Sequence, residues 1–246
     1  LAFVHEPAAA TPPCSRAVVA SISVTGTLVL STPVDGASEV VLAGIDALAG
    51  TRALAEEARQ QLADLLVGQD VCLAAEDGAD SLDRYARLVA QVERGDGLWV
   101  QGGLLARGLA RVHPTPAVHS RIREMLAIES EARTGRRGLW RLASMRVQPA
   151  DAVDPAATGL QIIEGRVLEA ERRGDWWYLN FGTDWRRDFT VTLNKRSLPP
   201  FAAAGIEPYA LRGTTIRVRG VLQWLNGPMI EALVPEQIET VAAVGD

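Results

Sequence analysis

Between residues 160 and 233, five short runs rich in β-branched and aromatic side chains follow one another. They are Leu160 to Leu168, Trp176 to Phe181, Phe189 to Leu193, Thr214 to Leu222 and Pro228 to Leu233. A helical piece near Leu198 to Ala204 interrupts them once, after the third. That order is the one expected of a small Greek-key barrel. Successive side chains on a strand point to opposite faces. Trp177, Leu179 and Phe181 therefore share one face of the second run, and Trp176, Tyr178 and Asn180 share the other. By the same parity Phe189, Val191, Leu193, Ile216 and Val218 point inward, and Arg217 and Arg219 point outward.

Aligned as a barrel of the OB type, Trp176, Tyr178, Arg217 and Arg219, with Arg186 and Arg187 near the hairpin, make an exposed aromatic and basic surface. OB barrels hold single strands with such stacking and charge. The competing occupant is a protein surface, either a partner's or that of the preceding domain. Acids and bases nearly balance in this half of the chain, which favours a protein over a polyanion, because counterion release needs local positive charge.

The upstream half also reads as strands followed by helices. Strand-like runs cover Arg16 to Val24, Thr27 to Ser31 and Glu39 to Gly44, and Asp35-Gly36 between the last two is a hairpin turn signal. From Thr51 to Val67, Ala53, Leu54, Ala58, Leu62, Leu65 and Leu66 recur at three- and four-residue steps, as on an amphipathic helix. Further strands are expected at Asp70 to Ala74 and Leu88 to Val92, and further helices around Gly102 to Ala110 and from about Ala117 to Thr134. Residues 146–158 hold two prolines and no amphipathic period, which predicts a linker between a domain at 16–145 and another at 159–240.

Charge and composition narrow the functional classes. The net charge is -5, with 48% hydrophobic and 22% charged residues, and neither half forms a basic arm for nucleic acid. No run reaches the roughly 18 to 20 apolar residues of a membrane span, so no integral span is expected. Cys14 and Cys72 are too few for a disulfide scaffold and lack metal-ligand spacing. A single bridge and two buried thiols both remain open. The Ala/Pro-rich stretch Leu1 to Pro13 and the even cysteine count point to a periplasmic or secreted chain, with the cytoplasm as the other reading. His5, His113 and His119 have no ligand spacing, and surface or capping roles are expected for them ahead of catalytic ones.

Several ordered segments carry a family resemblance. They are Val41-Leu42-Ala43-Gly44-Ile45-Asp46-Ala47, Gly68-Gln69-Asp70-Val71-Cys72-Leu73, Asp83-Arg84-Tyr85-Ala86-Arg87, Gly108-Leu109-Ala110-Arg111-Val112 and Arg137-Gly138-Leu139-Trp140. In this order the chain resembles the staphylococcal-nuclease-like (thermonuclease) family over residues 16 to 141. The resemblance implies an OB-type five-stranded barrel with three helices. With the downstream module, the expected fold class is mainly β with α, two OB-type barrels in tandem.

Active members of that family cleave nucleic-acid phosphodiesters with calcium, using two aspartates, two arginines and a glutamate. Against that pattern this chain has Val24-Thr25-Gly26-Thr27-Leu28 where the family has Asp-Gly-Asp-Thr-Leu. Val41 stands at the first arginine position and Ala49 at the glutamate. Asp46 and Arg87 remain, as remnants without an expected catalytic role. Structural roles are the expected ones, Asp46 as a turn or helix cap and Arg87 paired with Asp83 or Asp46, and retained phosphate binding is the alternative. A missing general base alone removes roughly 10² to 10⁴ in rate, and one carboxylate holds calcium poorly.

The sequence therefore predicts a non-catalytic binding or scaffolding protein with no cofactor and a protein partner. The alternatives are a weak, divergent calcium-dependent nuclease and a non-cleaving binder of single-stranded nucleic acid.

Overall fold

The computed structural model describes residues 14–47, 49–76, 81–118, 120–184 and 186–241; His5 and His119 lie outside them. In chain order, the first elements are β1 (Ser15–Ile22), β2 (Leu28–Val34), β3 (Ala37–Leu42), β4 (Ile45–Asp46), α1 (Arg52–Leu66), β5 (Asp70–Ala75) and β6 (Leu88–Arg94). Then come α2 (Val100–Arg107), β7 (Arg111–Val112), α3 (Ile122–Thr134) and β8 (Gln148–Pro149). The last third holds β9 (Leu160–Arg166), β10 (Glu169–Arg173), β11 (Trp176–Asn180), β12 (Thr190–Asn194) and α4 (Leu198–Ala203). It ends with β13 (Thr215–Val221), β14 (Gln223–Trp224), β15 (Pro228–Glu231) and β16 (Ile238–Thr240). Packing divides the chain into two units, residues 1–43 with 59–101 and residues 44–58 with 102–246.

In the first unit β1, β2, β3, β6 and β5 close into a barrel in that order, with β3 and β6 parallel and the other pairs antiparallel. This is the OB-like barrel expected upstream. Alternation produces its core, since Ala17 and Val19 on β1, Leu28 and Leu30 on β2, and Val71 and Leu73 on β5 are all buried. Asp35 and Gly36 both take positive φ, 50° and 83°, the primed turn that matches the twist of a tight hairpin. Cys14 and Cys72 are joined by a disulfide, with Cα atoms 5.4 Å apart. Of the two states left open by the cysteine count, the chain adopts the bridge.

The second unit begins with a small ladder, β4 against β7, in which Asp46 faces Arg111. Two of the sequence segments behind the family resemblance meet here. Gly108 and Gly138 both hold positive φ, and a Cβ on either would collide with the other segment's backbone, at Arg137 and at Gly108. Leu139 N–H donates to the Gly108 carbonyl at 2.8 Å, so only glycine allows this approach.

Downstream, β10-β11-β12-β15-β14 form one sheet and β16-β13-β9-β8 another. Between them lies a core of Ile163, Leu179, Phe181, Phe189, Val191, Leu193, Ile216, Val218 and Ile230, which includes every inward residue expected from parity except Trp177. Trp177 is only partly buried against it.

The five expected strands become a larger set. Val167 N–H donates to Thr214 O beside β13, and Leu168 N–H to Asn180 O beside β11, so the chain passes from one sheet to the other after β9, and β10 follows as a strand the sequence reading did not include. Residues 146–158, expected as a linker, make sheet and core contacts. Gln148 and Pro149 pair in parallel with Ile163 and Glu164, and Ala150, Val153 and Ala157 pack on the core. Trp140, Ala132 and Ile162 form a second cluster with Val147 against it, tying α3 and the segment after it to β9.

Candidate functional site

In the turn before β2, which the family resemblance aligns with the expected Asp-Gly-Asp-Thr-Leu segment, three hydroxyls face one another. Ser23 Oγ lies 2.9 Å from Thr25 Oγ1 and 2.8 Å from Thr27 Oγ1, and the two threonine oxygens are 2.9 Å apart. Ser23 Oγ also accepts from the Thr25 and Thr27 amides. Gly26 holds φ at 79°, which lets the turn close. The oxygens are neutral and already hydrogen-bonded to each other, unlike the anionic donors that calcium prefers. On β3, Val41, expected at the family's first arginine position, pairs with Val89 and offers only an isopropyl group. Ala49 is buried and carries no acid or base.

Asp46 and Arg87 both have partners inside their own units. Arg111 Nη2 donates to Asp46 Oδ2 at 3.1 Å, and the Arg111 side chain is only 6% exposed, so Asp46 neutralises a buried cation. Asp46 thus pairs with an arginine that the sequence reading did not connect to it. Arg87 donates through Nε and Nη2 to Asp83 Oδ2, at 2.8 and 2.6 Å. Asp83 also accepts from the Tyr85 and Arg87 amides, closing the turn that carries the Asp-Arg-Tyr-x-Arg segment. Burial alone would raise the Asp83 carboxyl, but these bonds and the Arg87 charge outweigh it and hold its pKa below the usual value. Arg84 and Arg87 lie over the exposed Tyr85 ring, 4.8 and 5.1 Å from its centroid.

His113 follows β7 and donates its backbone N–H to Gly44 O. Its imidazole is half-buried, and burial pushes its pKa below 6.5. Asp46 opposes that shift, while Arg111 and Arg219 reinforce it. The ring thus sits partly buried among charged neighbours instead of free on the surface.

The second group of candidate residues separates in the structure. Trp176 and Tyr178, half-exposed on β11, line an open groove of about 430 Å³ on the outer face of the β10-β11-β12-β15-β14 sheet. Arg217 and Arg219 lie on β13, in the other sheet. Parity gave them the correct side of their strand, but that side is covered. Arg219 is 1% exposed and donates to Glu129 of α3 at 2.7 Å, to Glu239 at 2.8 Å and to Val112 O at 3.3 Å. Arg217 is held by Glu164 at 2.6 Å, with Glu239 3.6 Å away. The expected joint aromatic and basic surface therefore does not form. The groove instead draws in Met229 and Glu231 of β15, which flank the buried Ile230.

The donor set does not suit the calcium centre of the family. The hydroxyls of the 23–27 turn are engaged with one another, Asp46 is engaged by Arg111, and among the described residues no three His, Cys, Asp or Glu side chains gather as a metal site.

With that geometry in place, residues 39–142 match the family model of Staphylococcal nuclease homologues. The chain thus carries a staphylococcal-nuclease-like domain, and β1 and β2, upstream of the match, complete the barrel of that domain. No curated protein matches the chain. No described helix is long and apolar enough to cross a membrane. A domain of this class points to nuclease-like or nucleic-acid-binding function.

Proposed function

We propose that this chain is a non-catalytic member of the nuclease-like class that works by binding, with the nuclease-like domain (16–145) followed by a second OB-type module (159–240). The observation that carries the reading is the hydroxyl cluster of Ser23, Thr25 and Thr27 at the metal-binding turn. The pairing of Asp46 with Arg111 and of Arg87 with Asp83 supports it. A hydrolytic mechanism needs a metal or a base to activate water and fixed cations for the transition state. Here the base position is alanine and the retained arginine is neutralised. The OB assignment of the second module rests on strand order: β10, β11 and β12 pair in succession, β12 pairs in parallel with β15, and β13 returns to β9. A protein partner is the favoured ligand. The Cys14–Cys72 bridge supports an oxidising compartment, periplasmic or extracellular.

Calcium tests the reading at equilibrium. A ligand that binds only the folded chain stabilises it by about 2.7 kcal/mol at a hundredfold excess over Kd. Ten millimolar calcium should leave the thermal midpoint where a chelator leaves it. A rise of several degrees, lost in Asp46→Ala, would contradict the proposal.

A further inference from the structure

The groove beside Trp176 and Tyr178 has a chemistry of its own, independent of whether the nuclease-like domain cleaves. Strand register orders its outer face. Glu171 of β10 lies opposite Tyr178 of β11, Tyr178 opposite Thr192 of β12, and Thr192 beside Glu231 of β15. A neighbouring row carries Arg173 and Trp176, and another carries Asn180, Thr190, Met229 and Gln223. Tyr178 and Glu231 are thus two strand spacings apart, roughly 10 Å. The short Thr192 between them lines the groove.

Charge on this face runs opposite to that of a nucleic-acid platform. Among the described residues that line it, the one arginine is Arg173, bound to Glu171 at 2.7 Å. Glu231 makes no side-chain hydrogen bond or ion pair among the described residues. Two aromatic rings beside an uncompensated carboxylate attract a cation, through the ring faces and through the charge, and repel phosphate. Its rim carries an apolar side chain, Leu225, 63% exposed at the β14–β15 turn. A small free cation does not need that extra surface, whereas a polypeptide covers it.

We propose that this groove binds a basic side chain, arginine or lysine, presented by an apolar segment of a protein partner. The head group sits over Thr192 between Tyr178 and Glu231, and the flanking apolar residues lie on Trp176 and Leu225.

The probe is a blocked pentapeptide with one central arginine between two leucines, titrated calorimetrically into the full chain. Glu231→Gln, which keeps the side chain's shape, should weaken binding at least tenfold, and so should replacing the probe's arginine by neutral citrulline. Tyr178→Ala should weaken it similarly. Equal affinity of the citrulline probe, indifference to Glu231→Gln, or no binding at millimolar peptide would overturn the proposal. Blocked arginine alone binding as tightly as the peptide would reassign the groove to a free organic cation. Oligothymidine binding that strengthens in Glu231→Gln would reassign it to nucleic acid.

Discussion

Replacing Arg219 by alanine should destabilise the protein by about 3–5 kcal/mol, the cost of leaving a buried carboxylate without its partner. Glu129 is fully buried, and after the substitution it keeps only the Val112 amide, at 2.7 Å. Burial works against the Arg219 charge, but Glu129 and Glu239 outweigh it and raise its pKa. Removing both Arg219 and Glu129 should cost much less than the two single losses summed, because neither variant then strands a charge. Arg217 makes a useful contrast, two residues along the same strand. Its side chain is 20% exposed and its partners are 30–32% exposed, so Arg217→Ala should cost only about 0–1 kcal/mol. Denaturant midpoints of the four variants measure this directly. An Arg219→Ala loss as small as that of Arg217→Ala would mean the buried pair does not hold α3 against β13.

The second large effect concerns the barrel. Cys14 and Cys72 are 58 residues apart in sequence, and Cys72 lies on β5 opposite Arg16 of β1, the pairing that closes the barrel. Constraining a loop of that length in the unfolded chain is worth about 4 kcal/mol by loop entropy. The Cys14→Ala, Cys72→Ala chain should therefore unfold at markedly lower denaturant, and reductant should lower the parent's midpoint by a similar amount. A double variant as stable as the parent, with no response to reductant, would show that the bridge contributes nothing.

Much of this architecture is legible from local rules. Two-residue alternation separates Leu179 and Phe181 from Trp176 and Tyr178, and Asp35-Gly36 fixes a hairpin through backbone conformation alone. The periodicity of Leu62 and Leu66 gives α1 its buried face. Long-range choices are not legible in this way. Parity turned Arg219 outward, but nothing near it in sequence reveals that Glu129, 90 residues upstream, meets it there. Asp46 likewise finds Arg111 across 65 residues. The two prolines of 146–158 suggest a linker, and nothing local in them shows that Gln148 and Pro149 pair with Ile163 and Glu164 at a sheet edge, where proline is tolerated. Glu231 is legible only once parity is applied to its run, because the alternation that buries Ile230 sends Glu231 to the groove.

Cleavage is the most direct test of the account. Labelled single-stranded DNA and RNA incubated with purified protein should remain intact with calcium, as they do with a chelator. Chelator-sensitive cleavage that is abolished by Arg87→Ala would contradict the account, because it would require the retained arginine to leave Asp83 and serve a working phosphodiesterase.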